Sequence, residues 1–329
     1  MKSRTLALGL LALTNVGCGG SRPPEAIPND GGPVRGAFFR PLDAKDSPTA
    51  NLFAIWGDGA GSIWAAGEGG RIARLQDGAW EAMETPVDRD LRSIWGRAPD
   101  DVYAVGVGGA ILHFRPDPDE GGEPVWVAEA APVEVDLNAV AGGGGRIYAA
   151  GAEGTILSRD EDGVWTVVPP VTFETINGLM VDGSGRGLAV GNLGLLLRGD
   201  QAGVWRRQRL DGINLALRAV WGPDTSSFYA VGLDGTILRG SPDGDVESIP
   251  GAPKVFLRDV RGTSMGDAWV VGWGGTVVHL DGRRAEIVAN VTDYRLEGVW
   301  GGWELDPESG EGLVRFYVVG VNGTVLAGP

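Results

Sequence analysis

The sequence predicts an all-β chain, a seven-bladed β-propeller of four-stranded blades in which an N-terminal strand completes blade 7. Three observations lead there. Glycine supplies 56 of 329 residues, yet 12 tryptophans and 43% apolar residues accompany it. Long helices are excluded because glycine costs about 1 kcal/mol per helical position. Disorder is excluded because a chain without a core has no place for large aromatics. An apolar-x-x-apolar motif, often ending in Trp-Gly, begins at Leu52, Leu91, Leu137, Ile176, Leu217, Leu257 and Leu296, a period of 39 to 46 residues. Four short strands repeated at such a period are the signature of propeller blades. The last repeat also stops at Gly328-Pro329, one strand short, while an apolar-aromatic segment precedes the first.

In chain order, residues 1–17 read as a secretory signal. Lys2 and Arg4 give the positive start, and Thr5 to Leu13 is apolar but far short of the ~20 residues that span a bilayer. Asn15-Val16-Gly17-Cys18 resembles a lipobox, with asparagine where leucine is usual. That resemblance implies lipidation of Cys18, which is the chain's one cysteine. Gly19, in place of an aspartate, then implies an outer-membrane lipoprotein. Residues 18–35 are rich in glycine and proline and read as a flexible tether. Residues 36–41 (GAFFRP) are expected to form the outer strand of blade 7, so the propeller domain covers 36–329.

Within each repeat the first motif is strand a, the innermost. Strand b follows as an aromatic or apolar residue, two small or β-branched residues and glycine, as in Tyr103-Ala104-Val105-Gly106 and Trp269-Val270-Val271-Gly272. The b–c turns include Asp234-Gly235 and Asn322-Gly323, the strongest short hairpin signals. Strand c is short and apolar. Strand d carries Trp80, Trp126, Trp165 and Trp205 in four repeats. Ten of the twelve tryptophans occupy repeat positions and are expected to pack between blades. Two insertions are expected as loops, Pro116 to Pro124 between strands c and d of blade 2, and Gly301 to Gly312 between strands a and b of blade 7.

With these repeats in view, the chain resembles the Trp/Gly-rich seven-bladed propellers of bacterial lipoproteins. It is also similar to the photosystem II stability/assembly-factor and BNR (Asp-box) propellers. Ser158-x-Asp160-x-Asp162-Gly163-Val164-Trp165 is close to an Asp box, with the glycine displaced by one. The resemblance implies a fold and leaves the activity open, because one fold hosts many functions.

Net charge is −15, which repels phosphate backbones, so no nucleic-acid partner is expected. The two histidines, His113 and His279, both end strand c, where other repeats have Arg74, Arg198 or Ala327. They are therefore expected on an exposed, variable position and not in a catalytic triad. No cofactor, no metal and no enzymatic activity are expected. The informative set is the second residue of strand a: Phe53, Arg92, Asn138, Asn177, Arg218, Arg258 and Glu297. It lies near the mouth of the central channel, where arginines present planar forks of donors to anionic or polar groups. The alternative is a hydrated lining with the arginines paired to Asp90 and Asp136. Trp273 in the blade 6 b–c turn and Tyr294 before blade 7 fall outside the repeat pattern and are added as contact candidates. Arg92, Arg218, Arg258, Tyr294 and Glu297 also match a sialidase by residue type, although sialidases have six blades. The expected function is a lipid-anchored, monomeric binding or assembly scaffold of the cell envelope, holding an envelope protein or a polar or anionic ligand. The alternatives are a stability factor for a membrane complex and a carbohydrate-active enzyme.

Overall fold

Short apolar runs separated by tight turns fold each repeat into an antiparallel meander. In the computed structural model, residues 39–329 are described, apart from 43, 118–121, 291, 306–311 and 329. They form seven four-stranded sheets. The innermost strands, a, are Leu52–Gly57, Leu91–Ala98, Leu137–Gly143, Ile176–Val181, Leu217–Trp221, Leu257–Ser264 and Leu296–Leu305. They begin where the sequence places them. Each neighbours the strand a of the blade on either side, so the blades close a ring.

Burial follows the distance from the channel. Strand b is buried at every residue in Ile63–Gly67 and Phe228–Gly232, because both of its faces meet a neighbouring blade. That is why it reads as an unbroken apolar run and not as an alternation. The Trp-Gly pair is a joint between blades. A Cβ on Gly96 would lie 2.5 Å from Trp56, one on Gly142 2.4 Å from Trp95, and one on Gly57 2.8 Å from Trp300. The tryptophan of one blade thus rests on the glycine of the next.

The ring is closed by the N-terminal segment. Arg40 pairs with Ala327 and Pro41 with Leu326, and the Leu42 N–H donates to Val325 O at 3.0 Å. Only Arg40–Pro41 of the expected 36–41 is strand, and 36–38 lie outside the described residues. Phe39 is buried beside Trp269 of blade 6, with ring centroids 5.2 Å apart. Lys45 then bridges to Ala79 on the outer strand of blade 1, so one short segment touches both sides of the seam. The expected signal (1–17), Cys18 and tether (18–35) also lie outside the described residues.

Two expectations are corrected. In the Gly301 to Gly312 insertion, expected as a loop, every described residue is strand: Leu296–Leu305 pairs with Gly312–Gly320, Trp303 opposite Val314, and 306–311 lie outside the described residues. His113 is buried, not exposed. It stacks on Tyr103 at 4.1 Å, with Nε2 hydrogen-bonded to Asp101 and Nδ1 to Glu129, both at 2.9 Å. Glu129 also receives two bonds from Arg159 and one from the Trp165 indole. This network joins blades 2 and 3. His279 repeats half of it through Asp267, at 2.9 Å.

Burial alone would push the His113 pKa down, but hydrogen bonds to Asp101 and Glu129 outweigh it and hold the imidazole above its ordinary value. Burial likewise opposes ionisation of Asp101 and Glu129, and the bonds from His113 outweigh it, together with those from Arg97 to Asp101 and from Arg159 to Glu129. Both carboxyls are held at about 2. The raised imidazole contributes stability below its unfolded value of 6.5, and this is lost as pH rises through the folded pKa. The depressed Glu129 carboxyl contributes above 4.5, and this is lost as pH falls towards about 2. The network therefore contributes most between those two unfolded values. The urea midpoint is expected to be higher at about pH 5.5 than at about pH 8. Glu129→Gln should flatten that difference, lower the His113 pKa in an NMR titration, and cost roughly 1–3 kcal/mol by leaving Arg159 without its carboxylate. An unchanged pH profile would show that the network does not titrate.

Candidate functional site

The pairing of strands a and b breaks at the same place in all seven blades. The register shifts between the first and third residues of strand a: Leu52/Ala54, Leu91/Ser93, Leu137/Ala139, Ile176/Gly178, Leu217/Ala219, Leu257/Asp259 and Leu296/Gly298. The skipped residue is the second one. A β-bulge leaves that residue unpaired and re-aims its side chain. Phe53, Arg92, Asn138, Asn177, Arg218, Arg258 and Glu297 are therefore seven bulge residues around one channel mouth.

Several of them are committed to each other or to the backbone. Arg92 donates to Asn138 Oδ1 at 2.8 Å and pairs with Asp136 at 3.0 Å. Asn138 is buried and donates to Ile176 O at 2.9 Å. Asn177 donates to Leu217 O at 2.9 Å and to Asn192 Oδ1 at 3.0 Å. Arg258 pairs with the buried Glu297, which also faces Arg295 at 3.6 Å. These bonds tie blade 2 to 3, 3 to 4, 4 to 5 and 6 to 7. Of the two expected acidic partners, Asp136 pairs with Arg92, whereas Asp90 caps the Gly69 N–H at 2.9 Å.

Arg218 differs. It donates to Asn177 O at 3.0 Å and, among the described residues, forms no ion pair. Burial first, then the nearby Arg258, lowers its pKa to about 10, so it stays charged at neutral pH. Two charged neighbours on strand a of blade 6 were missed in the sequence. Asp259 accepts from the Val299 and Val260 N–H groups, both at 2.9 Å, and burial raises its carboxyl to about 6. Burial lowers the Arg261 pKa, and its Nε has no hydrogen-bond partner. A signal existed: the third residue of strand a is otherwise alanine, serine or glycine, and the fifth is mostly tryptophan.

The expected contact residue Trp273 sits in an aromatic-arginine cluster across blades 6 and 7. Phe256 lies 5.6 Å from Trp273, Arg258 5.1 Å over Phe256, and Arg295 5.7 Å over Trp273. Such stacking fixes a guanidinium while leaving its edge donors available. Tyr294, next to Arg295, is half exposed. Phe256 and Arg295 were missed because they share the position before strand a, where the other repeats carry Asn51, Asp90, Asp136, Thr175 and Ala216 and no residue type is common to all. A separate cleft of about 360 Å³ is lined by Arg186, Arg198 and Arg206. These three are bound to Asp182, Gln208 and Asp200 respectively.

No family model matches the chain, and no curated protein matches it. Solved structures do. A streptogramin B lyase is 12% identical with a TM-score of 0.73, covering 89% of this chain and 97% of its own. Virginiamycin B lyase from Staphylococcus aureus is 12% identical with a TM-score of 0.72, covering 89% and 98%. YCF48 bound to D1 peptide is 18% identical with a TM-score of 0.65, covering 93% and 98%. At these identities the likeness concerns the fold. It overturns the expectation that the chain is not an enzyme, since that rested on the fold and on missing catalytic residues, and this fold includes lyases. What the comparisons and the sheet topology establish together is a seven-bladed β-propeller.

Proposed function

We propose that the chain is a binding and assembly scaffold that holds a polypeptide partner at the channel mouth. One observation carries this reading: seven bulges aim seven side chains at one mouth, and Arg218 remains there without a carboxylate. The mouth is cationic around Arg218, Arg258 and Arg295 on a chain of net charge −15, so it concentrates attraction for acidic groups in one place. A fold neighbour bound to a peptide supports a polypeptide as the partner class. In this reading the signal and Cys18 place the propeller on the outer membrane by a lipid anchor, as in the Trp/Gly-rich and Asp-box-like lipoprotein propellers. The c–d turns suit that comparison, since Asp160 accepts the Val164 N–H at 2.7 Å and Asp200 the Val204 N–H at 2.9 Å.

Fractionation with co-purification tests both parts. The wild-type chain is expected in the outer-membrane fraction with a bound protein. Cys18→Ser should move it to the soluble fraction. Arg218→Gln should keep its location and weaken the partner by about tenfold, the worth of a charge-assisted hydrogen bond. An identical partner yield from Arg218→Gln would refute the mouth site.

A further inference from the structure

The mouth face is divided into two unlike halves. Around blades 1, 2 and 7 it satisfies itself with polar side chains. Asn51, Asp90 and Asp136 accept the turn N–H groups of Asn322, Gly69 and Gly108, each at 2.9 Å. From the blade 3–4 connection to the blade 6–7 connection, the same loops carry large apolar side chains in solvent. These are Phe173 (86% exposed), Leu193 (58%), Leu215, Leu233, Trp273 and Tyr294. Large apolar side chains held in solvent along one side of a single face mark a place of contact.

Leu193 is the most telling of them. It stands at the b–c tip with φ +55°. At the equivalent tips the chain uses Gly69, Gly108, Glu153, Asp234, Gly274 and Asn322, with φ between 55° and 65°. Leucine is poorly suited to that left-handed conformation, and here its side chain is not buried in return. Backbone strain without compensating burial points to a role outside the folded monomer.

We infer that this apolar arc and the arginines on its inner edge form one docking surface for a polypeptide segment that carries large apolar side chains and a carboxylate. The apolar side chains would lie on Phe173, Leu193 and Leu215, and the carboxylate would reach Arg218 or Arg295. Charge selects this occupant. Arg218 has no ion pair among the described residues, the exposed Arg295 stacks over Trp273 within the arc and lies 3.6 Å from a Glu297 that it shares with Arg258, and the rest of the chain is acidic. A bilayer suits the surface less well, because the exposed Asp211, Asp234 and Asp293 alternate with the apolar tips and would be drawn into the headgroup layer. This inference rests on the mouth-binding reading above and extends it to the loops.

Random dodecapeptides displayed on phage and panned against the purified chain give the test, with selected peptides synthesised and titrated by fluorescence anisotropy. The selected peptides are expected to combine large apolar residues with aspartate or glutamate. Phe173→Ser and Leu193→Asn should each weaken them by about tenfold, as for contacts near an interface centre. Leu193→Asn should at the same time keep or raise Tm, because asparagine accepts the left-handed tip as Asn322 does. A structural role for Leu193 would lower Tm instead. Peptides weakened by Arg218→Gln but indifferent to Phe173→Ser and Leu193→Asn would overturn the docking surface and leave the mouth reading standing. Peptides indifferent to all three, or no enrichment, would overturn both. Flotation of the Cys18→Ser chain with phosphatidylcholine/phosphatidylglycerol vesicles, lost in Phe173→Ser, would overturn it in favour of a bilayer.

Discussion

Phe39→Ala is expected to lower stability by roughly 3–5 kcal/mol, the usual cost of emptying a buried phenylalanine site. Phe39 is 3% exposed and sits in a cluster with Trp269, Val271, Leu296, Phe316 and Leu326. Its ring meets Trp269 edge-on at 78°. It also fills the space over Gly328, where an added Cβ would come 2.8 Å from the Phe39 ring. The strand it anchors is only Arg40–Pro41, and proline brings no N–H, so few backbone bonds would hold the segment once the ring is gone. Its release would bare the edge of Val325–Gly328 and open the seam between blades 7 and 1. Urea denaturation of Phe39→Ala and of a chain lacking residues 36–41 should give similar, strongly lowered midpoints. A midpoint equal to wild type would mean that the ring holds without its N-terminal strand.

Gly109→Ala is expected to cost 3 kcal/mol or more, roughly, of which about 1–2 kcal/mol is the left-handed backbone alone. Gly109 has φ +75°, and a Cβ there would lie 2.3 Å from Val133 O in the connection to blade 3. Both partners in that contact are backbone, so neither can rotate away. The same close approach recurs at the third tip residue of every blade, where a Cβ on Gly70 would lie 2.0 Å from Val87 O and one on Gly194 2.1 Å from Ile213 O. Gly78→Ala is the internal control, since Gly78 has a similar φ of +77° and open space around it. The difference between the two variants measures the close approach by itself. Equal losses would show that the connection yields.

Blade number, strand order and strand a starts were legible because they depend on local spacing, which the seven repeats state seven times. The tip glycines were legible as turn punctuation for the same reason. Other features depend on what faces a residue. His113 reads as a rim position until strand b of its own blade and the neighbouring blade cover it. Glu129 and Arg159, far apart in sequence, then close the network. The Gly301 to Gly312 segment reads as a loop from its glycines, although Val314 and Phe316 continue an alternation that pairs with them. The bulges could not be read at all. A bulge is a mismatch in residue count between paired strands, and no residue type announces it. The mouth ring was thus located by position, while its division into committed residues and the unpaired Arg218 needed coordinates. The apolar arc was hidden because one leucine or phenylalanine looks like core in any sequence.

The recurring bulge separates two jobs that a strand usually combines. Strand a pairs through its first, third and fourth residues and is buried through its first and fourth, while the second is excused from the ladder in every blade. The identity of that residue is therefore constrained little by the sheet it sits in. Seven such positions face one opening, so the fold carries a panel of interchangeable keys on a fixed lock body. In the proposed scaffold role, exchanging one would alter what the mouth recognises and leave the strand pairing as it was. The inter-blade bonds of Arg92, Asn138, Asn177, Arg258 and Glu297 show five keys already turned to holding the ring, and Arg218, with no ion pair among the described residues, shows one held only by a backbone carbonyl.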